Sequence, residues 1–246
     1  MKKKTIKIKS LSIIFPFFNE EKRLSESFKN LRKLILSLKK INYEIILVND
    51  GSTDNSKNII KKEIDKFKNK YKKKFKYINY KKNMGKGFAL KKGVMASNKK
   101  WLLTCDIDFA ANPKEIKVWQ SKKYISSADE CYFGSRNLEY SNIEYKFYRK
   151  FIGNIFSYFR NSFLNIELRD TQCGFKLYPR NIARSVFSKL TRFGYIHDVE
   201  ICILLKKKNI RIKELPIKWK HVNNSKLNIF IDGSKMMFQL LLLKFR

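Results

Sequence analysis

Four short, almost wholly apolar runs alternate with longer segments of helical periodicity, and each run stops at a polar cluster. Residues 10–16 (SLSIIFP), 43–48 (YEIILV), 75–80 (FKYINY) and 101–104 (WLLT) are the runs. Between the first two, residues 20–40 place Leu24, Phe28, Leu31, Leu34, Ile35 and Leu38 at helical spacing. A charged helix is expected from Asn55 to about Lys74, and another over residues 85–97. Strands without an apolar/polar alternation are buried on both faces. Strands alternating with helices therefore predict an α/β fold, an open and mostly parallel central sheet flanked by helices. In such a sheet, ligands sit beyond the carboxyl ends of the strands. The polar clusters fall there: Asn19-Glu20, Asn49-Asp50-Gly51 and Asp106-Ile107-Asp108.

The second half is less regular. A helix is expected over residues 112–126, a strand over 130–134 and a long aromatic amphipathic helix over 145–164. Helices near 179–189 and 198–208, a strand at 210–216 and a helical tail over 229–245 follow. With 43% hydrophobic residues, including 20 Phe and 12 Tyr, the chain can bury a core suited to one large domain. Lys and Arg total 55 against 21 Asp and Glu, a net charge of +34. That field draws polyanions such as nucleic acid, anionic lipid or phosphorylated substrates, although a lysine-rich composition alone would produce it. The four cysteines are scattered and only two histidines occur, so neither a zinc pattern nor a disulfide framework is expected and a reducing cytoplasm is the natural setting. No run reaches about 18 apolar residues, so neither a signal peptide nor a membrane span is expected.

Asp106 and Asp108 lie two positions apart at a strand end. In an extended segment both point the same way, repel each other and favour a hard divalent cation; loop carboxylates satisfied by backbone amides are the alternative. Asp50 suits a ribose or base edge, or a plain turn capped by Ser52 or Thr53. The run Asn83-Met84-Gly85-Lys86-Gly87 opens a helix whose free amides, with Lys86, suit a diphosphate, and a structural helix start is equally compatible. Arg136 and Arg149 match phosphate geometry, as surface charges also would.

Taken in order, these pieces resemble glycosyltransferase family 2. Pro16-Phe17-Phe18-Asn19-Glu20 is similar to its P-x-x-N-E signature, Val48 to Asp54 to V-N-D-G-S-x-D, Asn83 to Gly87 to N-x-G-K-G, and Asp106 to Asp108 to its DxD. Arg169-Asp170-Thr171-Gln172-Cys173-Gly174-Phe175-Lys176 resembles a run of the dolichyl-phosphate glucosyltransferase branch. So do Asp198-Val199-Glu200, Glu214 to Trp219 and Ser225-Lys226-Leu227. The resemblance implies a GT-A domain over residues 1–227 and a basic amphipathic helix over 228–246 that lies on a membrane.

It implies that Pro16, Asn19, Glu20 and Asp50 hold the nucleotide, and that Asp106 and Asp108 bind Mg²⁺ or Mn²⁺ with the donor diphosphate. Arg136 and Arg149 would meet an acceptor phosphate, Asp170 and Gln172 would face the sugar, and Lys226 would close near the phosphates. Asp108, Asp170 and Arg136 are the expected catalytic residues. Phe109-Ala110-Ala111-Asn112 departs from what usually follows the DxD, which leaves a third metal ligand in doubt. The implied reaction transfers a hexose with inversion from a nucleotide sugar to a polyprenyl phosphate, glucose and UDP being favoured. It would occur in the cytoplasm, peripherally on the inner face of an anionic membrane. A family 2 enzyme with a glycan or protein acceptor is the first rival. A nucleotidyltransferase is the second, and Pro16 to Glu20 is not the glycine-rich, basic first loop it would carry. A basic nucleic-acid-binding protein is the third, and no motif supports it, so nucleic acid is not an expected partner.

Overall fold

The computed structural model describes residues 5–138, 142–143, 164–220 and 239–240. Strands β1 (Ser10–Phe17), β2 (Asn42–Asn49), β3 (Phe75–Asn79) and β4 (Trp101–Thr104) appear where the apolar runs are. Helices α1 (Glu21–Ser37), α2 (Ser56–Asp65), α3 (Asn69–Lys72) and α4 (Lys86–Ala96) lie between them. The single charged helix expected from Asn55 to Lys74 is two, broken where Phe67 turns in against Phe28 and Phe75, at ring separations of 6.4 and 4.9 Å. Next come α5 (Glu115–Ser121), β5 (Cys131–Ser135), β6 (Asn142–Ile143) and β7 (Lys176–Pro179). The order closes with α6 (Arg180–Phe187), α7 (His197–Lys207), β8 (Ile212–Pro216) and β9 (Lys218–Trp219). The expected helix at 112–126 shortens to α5. The aromatic helix at 145–164 and the tail at 229–245 lie outside the described residues, apart from Leu164, Gln239 and Leu240.

The main sheet runs β3-β2-β1-β4-β7-β5-β8. All neighbours pair in parallel except β7, which is antiparallel to both β4 and β5. That reversal positions the site. An antiparallel strand begins at the edge where its neighbours end, so the residues leading into β7, Asp170 to Gly174, arrive beside the carboxyl ends of β4 and β5. A small parallel pair, β6 with β9, stands apart.

Alternate residues along each strand feed two cores, as the two-residue side-chain period requires. Ile13, Phe15, Ile45, Leu47 and Leu103 pack with α1, α2 and α5, while Ile14, Ile46, Val48 and Leu102 pack with α4, α6 and α7. Pro16 is tolerated in the middle of the sheet because its missing N–H faces β4 just beyond the last ladder pair, Ile14 with Thr104. Leu240 is fully buried in the second core, so this tail residue packs against the protein. Leu240→Ala is expected to destabilise the fold by about 2–5 kcal/mol, readable as a lowered urea midpoint. An unchanged midpoint would mean that the tail is not docked in solution. Among the described residues, no helix is long and apolar enough to cross a membrane.

Candidate active site

The exits of β1 and β2 are stitched together by Asn19. It sits in the left-handed region (φ 53°), and its Oδ1 accepts from Thr53 N at 2.8 Å while its N donates to Ser52 Oγ at 2.9 Å. Glu20 N donates to Ser56 Oγ at 2.8 Å, and Glu20 pairs with Arg23 at 3.4 Å. These two signature residues therefore build the floor between the first two strands. Asp50, one step beyond β2 and 3% exposed, turns its carboxylate into the Asn83–Gly85 turn.

At the end of β4, Asp106 and Asp108 are brought together by a turn, with Phe109 N donating to Asp106 O at 3.3 Å, and not by the extended geometry expected from sequence. Phe109 is left-handed (φ 58°) and stacks on Phe15 at 5.4 Å, which anchors the turn to the core. Each acid already has a basic neighbour. Lys86 Nζ donates to Asp106 Oδ1 at 2.5 Å, and Arg23 Nη1 lies 3.6 Å from Asp108 Oδ2. Burial, and next the charge of Asp106, push the Asp108 carboxyl up. The pair therefore carries more negative charge than its surroundings favour, and a hard divalent cation relieves that. The donor set fits Mg²⁺ or Mn²⁺. Among the described residues no third His, Cys, Asp or Glu completes a cluster.

Gly174 packs directly against Asp106. A Cβ added there would lie 2.5 Å from Asp106 Oδ2, so only glycine lets the β7 lead-in approach so closely. The same lead-in carries Asp170. Its Oδ2 accepts from Arg136 Nε at 2.7 Å and Arg136 N at 3.0 Å, and its Oδ1 accepts from Arg136 Nη2 at 3.0 Å and Gln172 N at 3.1 Å. Expected to face different ligands, Arg136 and Asp170 are bonded to each other. Burial alone would raise the Asp170 carboxyl, but the Arg136 guanidinium outweighs it and holds the group below the usual carboxylate range. A carboxylate held there is a poor proton acceptor. Arg136 also lies over the Trp219 ring, 5.7 Å from its centre. Gln172 reaches the carbonyl of Tyr195 at 3.4 Å.

Several acids that sequence reasoning did not single out hold these loops. Glu214, on β8, accepts from Arg169 N and Asp170 N, both at 2.8 Å. Glu200, on α7, accepts from Arg192 N at 2.6 Å and Thr191 Oγ1 at 2.8 Å. Buried Lys176 bonds Asp198 and donates to Thr171 O at 2.9 Å. His197 beside it is buried, and burial holds its imidazole below the usual value. Asp198, Glu200 and Glu214 all stand in motif runs, which was the signal available. Arg23 had none beyond its place one helical turn after Glu20. Arg149 and Lys226, expected at the acceptor and the phosphates, lie outside the described residues.

The fold is similar to that of solved transferases. Glucosyl-3-phosphoglycerate synthase from Mycobacterium tuberculosis, solved with Mn²⁺, UDP and its product, superposes with a TM-score of 0.66 at 16% identity, covering 96% of this chain and 80% of that one. A mannosyltransferase from Pyrobaculum calidifontis, solved with GDP-mannose and Mn²⁺, gives 0.64 at 11% identity, covering 99% and 66%. This is the GT-A architecture expected from sequence, and at these identities the likeness concerns the fold alone. In sequence, the dolichyl-phosphate beta-glucosyltransferase of Dictyostelium discoideum is 33% identical, over 96% of this chain and 74% of the relative. The enzyme of that name from Saccharomyces cerevisiae is also 33% identical (95% and 74%), and the human one is 31% identical (97% and 76%). The model of "Glycosyl transferase family 2" matches residues 12–187, which span all the strand-end clusters described above. The chain belongs to glycosyl transferase family 2.

Proposed function

We propose that this chain transfers glucose, with inversion, from UDP-glucose to the phosphate of a polyprenyl phosphate at a membrane surface. The observation that carries this is the packing of Gly174 on Asp106. It joins the run shared with the dolichyl-phosphate branch to the carboxylate pair in one site. Identity with relatives named for that reaction, sustained over 95–97% of the chain, supports the same reading.

Asp106 and Asp108 would hold Mg²⁺ or Mn²⁺, which supplies Lewis-acid stabilisation to the departing diphosphate. Lys86 and Arg23, already beside the two carboxylates, add positive charge where negative charge grows. Asn19 and Glu20 shape the floor on which the nucleotide rests, and Pro16 lies next to last in the strand before it. The nucleophile is a phosphate oxygen that is ionised near neutral pH, so no strong general base is needed. This agrees with an Asp170 held below the carboxylate range. We assign Asp170 and Arg136 to fixing the loop that presents Gln172 to the sugar. Arg149 and Lys226 are proposed partners of the acceptor and donor phosphates. Positioning then supplies much of the rate.

The acceptor's hydrocarbon stays in a bilayer, so the enzyme works at the surface, on the cytoplasmic face in our reading. A net charge of +34 draws it to anionic headgroups. The test is product analysis. UDP-glucose and a short polyprenyl phosphate in detergent should yield a β-linked glucosyl phosphate lipid, identified by mass and by the anomeric proton coupling. An α-linked product, or glucose delivered to a glycan in place of the lipid, would refute the assignment.

A further inference from the structure

Resting on the membrane-surface reading above, we infer that the face made by α4 and α6, with the loop that precedes α7, is the surface by which this protein lies on an anionic bilayer. Charge is sorted between the two sides of the sheet. Residues 66–105 hold 14 Lys and no Asp or Glu, and residues 171–197 hold five Lys or Arg and again no acid. The fold sets parts of these two runs side by side, because α4 packs against α6. Helices α4, α6 and α7 cover the second core, and the acids they carry, Asp198 and Glu200, are both buried. On the opposite side of the sheet, α1 and α2 carry Glu21, Glu26, Glu63 and Asp65.

The cations of this face are held by neutral partners. Lys91 donates to the carbonyls of Ser188 and Leu190 at 2.9 and 3.0 Å, and Arg184 to those of Met95 and Ser97 at 3.0 and 2.8 Å. Lys92 lies over the Phe88 ring, 5.2 Å from its centre. Each keeps its charge for an anion outside, while its hydrocarbon stem lies along apolar surface. Met84, Met95 and Tyr195 are three of the five large hydrophobics that stand exposed among the described residues, and all three fall here. The other two, Leu36 and Val118, are on α1 and α5. Apolar groups set among lysines suit the boundary between headgroups and acyl chains. A nucleic acid would use the cations and leave the methionines in water. Met84 and Tyr195 flank one contact, since a Cβ on Gly85 would lie 2.5 Å from Phe193 O. That contact stands at the start of α4, whose first residue, Lys86, bonds Asp106. The face therefore ends at the site, where a phosphate at headgroup level is presented. Leu240, buried in the second core, brings the tail to the same side.

Sedimentation of the full chain with phosphatidylcholine vesicles, with and without phosphatidylglycerol, tests this. The wild type should pellet with the anionic vesicles, and less as salt rises. Lys92→Gln combined with Lys189→Gln should weaken that binding by about twentyfold, since each cation near an anionic surface is worth about fivefold. Lys33→Gln combined with Lys57→Gln removes the same net charge from α1 and α2 and should weaken it by less than about threefold. Met95→Ser should weaken it several-fold and leave its salt dependence unchanged. Urea midpoints equal to that of wild type separate a lost contact from a lost fold. Equal losses in the two double variants would overturn the inference, because net charge and not this face would then bind. So would a Met95→Ser protein that binds as wild type does, or a wild type that binds duplex DNA and not anionic vesicles. Transfer in detergent needs no bilayer. Vesicle binding absent with that transfer intact strikes the inference alone, whereas absence of the transfer strikes the proposed function.

Discussion

Asp108→Asn is expected to lower kcat by about a thousandfold and to leave the fold standing. Asp108 Oδ1 accepts from Ala110 N at 3.0 Å, and an asparagine carbonyl can keep that bond, so the turn survives. What disappears is one of the two negative charges proposed to hold the divalent ion. Lewis-acid stabilisation is worth several kcal/mol, and each 1.36 kcal/mol is tenfold in rate. The variant should be at least as resistant to urea as wild type, since the Asp106 charge now pushing the Asp108 carboxyl up no longer has a carboxylate beside it. Loss of Mn²⁺ binding with undiminished urea resistance is the expected pattern. A variant that keeps more than a tenth of wild-type turnover would remove Asp108 from the metal site.

Asp170→Asn should fail differently, through stability. The Asp170 side chain is 4% exposed and that of Arg136 23% exposed, and two of the four bonds to the carboxylate come from the guanidinium. Breaking a buried pair by removing one partner costs about 3–5 kcal/mol, because the remaining charge is left uncompensated. For a chain of this length each kcal/mol moves Tm by about 2–4 °C, so a fall of roughly 10 °C is expected. The pH dependence follows from the lowered carboxyl. In the window below the ordinary aspartate value of about 4, the unfolded chain binds a proton that the folded one refuses. The contribution of Asp170 is therefore complete above that value and is lost only as pH falls through the lowered folded value. Urea midpoints of wild type and variant should differ most at neutral pH and converge in strong acid. A constant difference down to pH 2 would show that the charge on Asp170 is not what stabilises the loop.

The strands were legible because their burial on both faces leaves unbroken apolar runs, and β1 to β4 fall on those runs. The antiparallel β7 was not. It has four residues, begins with a buried lysine and ends in proline, so no period marks it. Its place is set by β4 and β5, both more than 40 residues earlier in the chain. The strand-end clusters were also legible as a site, and the structure gathers Asn19, Glu20, Lys86, Asp106 and Asp108 there. What each acid does was not. Asp50, Asp170, Glu200 and Glu214 were read as ligand-facing or left unassigned, and all four accept from backbone amides of loops at the site. Glu214 and Asp170 are 44 positions apart, and only the folded chain brings such partners together. A motif records that an acid is needed, and both roles leave the same letter.

The most direct measurement is UDP release from UDP-glucose, with and without a short polyprenyl phosphate, in the presence or absence of Mn²⁺. Release that requires both the lipid phosphate and the metal, and that is lost in Asp108→Asn, is the predicted result. Release at the same rate without the lipid phosphate would contradict the account, because the site would then be activating the donor without the acceptor assigned to it.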